Sequence, residues 1–126
     1  MKYLCELSRE FKFEAAHSLP EVSKKHKCAQ IHGHSFKIKI TIRGNINPNK
    51  GWIIDYGYIS KAFAPIHKKL NHKYLNNING LKNPTSELLA LYIAKELQLP
   101  THIKLFSIEV KETCTSACTI YPITLK

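Results

Sequence analysis

The stretch from His34 to Arg43 alternates without a break. Phe36, Ile38, Ile40 and Ile42 fall on one face of an extended chain, and Lys37, Lys39, Thr41 and Arg43 fall on the other. Strand side chains point to opposite faces with a period of two, so this is a strand with one wet side. Such a strand belongs to a sheet whose other face must be covered. Residues 9–17 repeat the pattern: Phe11, Phe13, Ala15 and His17 share one side, and Glu10, Lys12 and Glu14 the other.

Parity places the histidines. His17 is in phase with the apolar face of the first strand, and His32 and His34 with that of the second. Strands adjacent in sequence usually pair. If these two pair antiparallel, the three imidazoles meet at one sheet edge on the core side. Gly33, between two of them, leaves room opposite. Three histidines leave a tetrahedral zinc with one open position, the pattern of catalytic sites. The connecting segment, 18–31, carries Cys28 above the cluster. Its thiol is a candidate base or nucleophile once the thiolate is stabilised. The rival reading makes it the fourth ligand, closing a structural site. The bland alternative is three ordinary polar residues, against which stands the need of buried polar groups for partners.

The rest of the chain supplies the cover. Gly44 to Gly51 reads as a turn, followed by the apolar run Trp52-Ile53-Ile54. Asp55 is the expected N-cap of a helix through about Leu70, with Ile59, Ala62, Phe63, Ile66 and Leu70 inward and a kink at Pro65. Residues 71–84 read as a polar loop. Thr85 or Ser86 caps a second helix to about Leu97, with Glu87 favourable in its first turn. Its expected stripe is Leu88, Leu89, Tyr92, Ile93 and Leu97. Residues 103–112 alternate again, with Phe106, Ile108 and Val110 inward and Glu112 continuing that face. A last strand is expected over 117–125. The order ββααββ defines an α+β class: a four-stranded antiparallel sheet with two helices on one face, in a single domain over 1–126.

The formal net charge of +10 attracts anions. The lysines are scattered, apart from a denser run at Lys24, Lys25 and Lys27. A basic, zinc-stabilised nucleic-acid-binding module would carry stacking aromatics on its basic face. Here Phe11, Phe13 and Phe36 lie in phase with the core, opposite the lysines. Charged residues break the first thirteen positions, and no run is apolar enough for a signal peptide or a membrane span, so a cytoplasmic protein is expected. Its four cysteines are then expected as thiols. Cys5, Cys114 and Cys118 read as structural, since no second Cys or His pair lies near the last two. His72, at a helix end, is either a solvated side chain or a protonated one favoured by the helix dipole. Glu112 is either a strand-end surface residue or a carboxylate accepting adjacent N–H groups of a heterocycle.

Six segments in order carry a resemblance: F-E-A-A-H-S-L-P from Phe13, C-A-Q-I-H-G-H-S from Cys28, G-W-I-I-D from Gly51, L-N-H-K-Y-L-N from Leu70, N-P-T-S-E from Asn83 and V-K-E-T-C from Val110. Together they resemble the 6-pyruvoyl-tetrahydropterin synthase family, and more closely its bacterial 6-carboxy-5,6,7,8-tetrahydropterin synthase branch, which acts in queuosine biosynthesis. The short interval between Cys28 and His32 favours that branch over the pyruvoyl-forming enzymes of animals. The resemblance implies the tunnelling fold, in which three subunits join sheet edges into a barrel and two barrels stack into a homohexamer. It implies zinc on His17, His32 and His34, and Cys28 as proton acceptor. His72 and Glu112 would belong to the proton relay and to pterin recognition, and Thr85, Ser86 and Glu87 would approach the pterin from a neighbouring subunit. The implied substrate is 7,8-dihydroneopterin triphosphate, converted to the 6-carboxy product with loss of acetaldehyde and triphosphate. The alternatives are pyruvoyl formation and simple side-chain cleavage. The chain departs from the family in one place: Asn71 stands where the family usually has Asp, directly before the relay histidine. Either Glu112 supplies that charge, or the relay role of position 71 is dispensable.

Overall fold

A computed structural model describes residues 3–123. The two alternating segments form strands β1 (Cys5–His17) and β2 (His32–Gly44), antiparallel along their whole length. The register sets Phe13 opposite Phe36 and His17 opposite His32. Strands β4 (Lys104–Thr113) and β5 (Ser116–Ile120) follow β2 across the sheet. The expected last strand therefore starts a residue early and stops at Ile120; its expected end at Leu125 lies outside the described residues.

The expectation of four strands needs correction. The sheet has five: a strand β3 (Lys73–Tyr74) adds to the outer edge of β1, giving the order β3-β1-β2-β4-β5. It lies in the segment read as a loop and pairs parallel to β1 at Ala15 and Ala16. Two residues cannot display a period, which is why alternation does not reveal it.

Helix α1 (Tyr56–Leu70) buries Ile59, Phe63, Ile66 and Leu70 against the sheet, and Asp55 caps it by accepting the N–H of Gly57. It runs through Pro65 as one helix. Helix α2 (Ser86–Glu96) buries Leu89, Ala90 and Ile93. Leu88, expected in its stripe, is instead exposed, and Ala90 takes the inward position. Between sheet and helices, Phe13 stacks on Phe36 at 5.0 Å and Phe11 on Phe63 at 4.5 Å between ring centroids. Each such ring removes a large apolar area from water, and the stacked geometry adds to that burial. All three aromatics thus sit on the helix side, away from the lysine face.

A second correction concerns Phe106. The β2–β4 register shifts between Thr41 and Ile42, which pair with Ser107 and Leu105, so Phe106 is the extra residue of a bulge. A bulge re-aims side chains. Phe106 leaves the core face and lies under the Arg43 guanidinium, 3.5 Å from ring centroid to Cζ, with Tyr121 at 5.4 Å. Leu105 packs against the core in its place.

Candidate metal centre

The β1–β2 register brings the three histidines together at the end of the sheet. His17 pairs with His32, and His34 pairs with Ala15 one step of the same face away. Their ligand atoms all lie within 4.8 Å of one another. Ring centroids are 4.5 Å apart for His17 and His32, 5.1 Å for His17 and His34, and 4.9 Å for His32 and His34. Phe36, 5.5 Å from His17 and 5.4 Å from His34, forms an apolar floor.

Backbone carbonyls fix the tautomers. A carbonyl only accepts, so the ring nitrogen facing it carries the proton. His17 Nδ1 donates to the carbonyl oxygen of Pro84 at 2.8 Å, and His32 Nδ1 donates to that of Gln30 at 2.8 Å. In both rings the Nε2 lone pair is left free, the arrangement by which outer-shell partners orient metal-binding histidines. His17 is only 1% exposed. Burial, with help from the charges of His32 and His34, holds its imidazole below the ordinary histidine range, against the opposing pull of Pro84 and Glu112. It is therefore neutral near pH 7, as a ligand must be.

The Nε2 atoms of His17 and His34 are buried and accept no hydrogen bond from a described residue. Buried nitrogens without partners are rare and call for an explanation. A divalent ion accepting their lone pairs supplies one, and three imidazoles suit zinc. The Cys28 sulfur is not part of this group. Cys28 sits half-buried on a short 3₁₀ turn, Lys27–Ala29, with its N–H on His26 Nδ1 at 3.0 Å. Its carbonyl accepts the N–H of Leu19 at 2.8 Å, closing the 19–28 loop at a neck two residues beyond His17. The loop is thus tied down beside the centre while the thiol stays outside the triad.

The segment 84–87 serves the centre several times over. Pro84 orients His17. The Thr85 hydroxyl accepts the Leu88 N–H at 3.1 Å as the N-cap of α2, so this oxygen is already engaged in the helix. Ser86 and Glu87 line a depression of about 410 Å³ together with Glu112, Thr113 and Cys118. These residues meet within one chain, so no second subunit is needed to bring Ser86 and Glu87 beside Glu112. Glu112 Oε2 lies 3.8 Å from His34 Nε2, which joins the depression to the metal centre. Burial, with the Glu87 charge, pushes the Cys118 thiol up, in keeping with an inert structural cysteine.

His72 is exposed and lines a depression of about 440 Å³ together with Glu14, Gly33 and His34. Among the described residues no hydrogen bond or ion pair joins it to Cys28 or Glu112. It is the single non-glycine residue with positive φ among the described residues, at 60°. A side chain in the left-handed region is strained, and such strain clusters at functional positions. Gly33 is less constrained than expected: a Cβ there would meet only the Ala15 carbonyl oxygen, at an ordinary 3.5 Å.

Two supports escape a reading of the sequence. Asn76 accepts the Ser18 N–H at 3.0 Å and donates to the Ser18 carbonyl at 2.8 Å, pinning the residue after His17. The Tyr74 hydroxyl meets the Ser18 hydroxyl at 2.7 Å. Asn76 ends the L-N-H-K-Y-L-N segment, which was the one available hint.

A mostly antiparallel five-stranded sheet covered by two helices, with three histidines oriented at its edge beside an open acidic depression, defines an α+β protein with a three-histidine centre that could hold a metal ion. The chain belongs to the 6-pyruvoyl tetrahydropterin synthase family, whose model matches residues 6–122. It is 39% identical over 114 residues to a 6-carboxy-5,6,7,8-tetrahydropterin synthase of Synechocystis, covering 86% of this chain and 87% of that one. It is 34% identical over 95 residues to a dihydroneopterin monophosphate aldolase of Pyrococcus furiosus, covering 74% and 76%. The fold matches that of the Caenorhabditis elegans 6-pyruvoyl tetrahydropterin synthase with a TM-score of 0.86 at 24% identity, over 96% of this chain and 97% of that one.

Proposed function

We propose that this chain is a zinc-dependent lyase that, with uptake of one water molecule, converts 7,8-dihydroneopterin triphosphate to 6-carboxy-5,6,7,8-tetrahydropterin, releasing acetaldehyde and triphosphate, in queuosine biosynthesis. The observation that carries the reading is the pair of buried, unpartnered Nε2 atoms on His17 and His34, beside a His32 whose tautomer matches. Held by these three residues, zinc supplies a Lewis acid for the hydroxyls of the substrate side chain. Cys28 moves a proton at the side-chain carbon next to the ring, from a loop tethered at its neck beside the centre. Glu112 accepts two adjacent N–H groups of the pterin edge, and Ser86 and Glu87 flank the ring in the same depression. His72 completes the relay. A second copy would close the pocket over these residues.

That closure requires association. The outer edge of β5 and much of that of β1 carry no strand partner among the described residues. Open edges invite pairing, and a homohexamer of two stacked three-subunit barrels would pair them. Light scattering tests the mass. No described helix is long and apolar enough to cross a membrane, in keeping with a cytoplasmic enzyme.

The Pyrococcus aldolase relative favours one second reading, side-chain cleavage of a dihydropterin without formation of the carboxyl. Incubation of zinc-loaded protein with dihydroneopterin triphosphate separates the two. Acetaldehyde together with the mass of the 6-carboxy product is expected. A 6-hydroxymethyl product overturns the synthase reading in favour of cleavage, and an unaltered substrate overturns both.

A further inference from the structure

The peptide groups of Glu14 lie on the outer edge of β1, where β3 begins. Both are taken by two consecutive residues. The Glu14 N–H donates to the side-chain Oδ1 of Asn71 at 3.0 Å, and the Glu14 carbonyl accepts the N–H of His72 at 2.6 Å. The Asn71 amide thus stands in for a main-chain carbonyl and extends the β1–β3 ladder by one link. The Asn71 N–H in turn donates to the His67 carbonyl at 2.8 Å, closing α1. His67 Nε2 donates to the Lys12 carbonyl at 3.0 Å, one step back along the same edge. Between these fixed points the backbone of His72 is held at φ 60°.

We infer that Asn71 is a positioning residue, whose side-chain acceptor on Glu14 holds the left-handed backbone of His72 in place, and that position 71 is not a proton-relay carboxylate in this chain. The deduction follows from occupancy. Oδ1 is the only acceptor of the Asn71 side chain, and it is bonded to main chain. Removing that acceptor leaves an edge N–H without its partner and frees a strained residue to relax. The inference rests on the proposed reaction for its kinetic test but not for its structural one.

The experiment compares Asn71→Ala with Asn71→Asp, which keeps an acceptor for the Glu14 N–H. Hydrogen exchange of the Glu14 amide, read by NMR, should accelerate about tenfold in Asn71→Ala, the equivalent of one hydrogen bond's net worth, and return to the wild-type rate in Asn71→Asp. With dihydroneopterin triphosphate, kcat should fall about a hundredfold in Asn71→Ala, the effect of an ångström of misplacement. KM and bound zinc should be unchanged, and Asn71→Asp should restore kcat with the same pH profile. An unchanged exchange rate in Asn71→Ala overturns the clamp. A kcat in Asn71→Asp raised about a hundredfold over wild type, with a new acidic limb in its pH profile, overturns the positioning role in favour of a relay carboxylate. If wild type does not turn over this substrate, the proposed reaction fails, and the exchange rates still decide the clamp.

Discussion

His17 and Pro84, 67 residues apart in sequence, share a 2.8 Å hydrogen bond that joins the end of β1 to the start of α2. It sets which nitrogen of His17 faces the other two imidazoles. The same bond ties formation of the metal centre to docking of α2. His17→Ala should therefore abolish stoichiometric zinc binding, with a loss well beyond the roughly ten- to hundredfold caused by removing an outer-shell partner. Zinc should raise the wild-type melting temperature, because it binds the folded state. The variant should show no such rise. A zinc titration followed by calorimetry reads both, and a variant that keeps one tightly bound zinc would refute the assignment.

Thr85 was a candidate for substrate contact, and its hydroxyl is engaged as a helix cap. Thr85→Ala should cost about 1 kcal/mol of stability, the usual loss on removing a threonine N-cap. Thr85→Ser should restore most of it. Urea denaturation checks this directly. A variant of full stability but weakened KM would return Thr85 to the pocket.

Much of this architecture is legible in the sequence, for physical reasons that also mark where legibility stops. His17, His32 and His34 could be placed together because strand parity is a strict period of two and adjacent strands pair. Asp55 and Thr85 could be read as caps because the chemistry of capping is local. Phe106 could not be placed: a bulge breaks parity through a shift in the neighbouring strand's register, and nothing in 103–112 announces it. β3 is too short for a pattern. Pro84, Asn76 and Asn71 act through a backbone carbonyl or a single amide bonded to residues 57 to 67 positions away, and no spacing rule reaches that far.

The Glu14 carboxylate gives a pH signature. The single proton of the Ser35 hydroxyl, shared between the two carboxylate oxygens at 2.6 and 2.8 Å, holds its pKa below the ordinary 4.5, opposed by partial desolvation and aided by the charges of Lys12 and His72. A carboxyl depressed in the folded state binds protons less readily there than in the unfolded chain. Its contribution to stability is therefore present above about pH 4.5 and is lost as pH falls through the folded value. Ser35→Ala should be less stable than wild type at pH 7, and the gap should close below pH 4.5. Denaturation curves at a series of pH values read this, and a gap that widens in acid would reverse the argument.

Glu112 lies between two environments, with Oε2 3.8 Å from His34 Nε2 and its side chain 24% exposed in the depression shared with Ser86 and Glu87. At 3.8 Å it makes no hydrogen bond to the imidazole. Its acceptor oxygens remain available, and a carboxylate receiving two N–H groups from a planar heterocycle is worth more than an amide in the same place. Glu112→Gln keeps the shape but replaces one acceptor with a donor. Such a change removes a hydrogen bond to a charged group, about 1.5–3 kcal/mol, and sets a donor against a donor. Binding of the dihydropterin should weaken roughly ten- to hundredfold by this measure, while zinc stoichiometry stays at wild type, because the three imidazoles are untouched. Isothermal titration with the pterin ring lacking its phosphates isolates this contact from the charge of the triphosphate. Equal affinity in Glu112→Gln and wild type would move ring recognition elsewhere in the depression, with the Glu87 carboxylate the next acceptor to test.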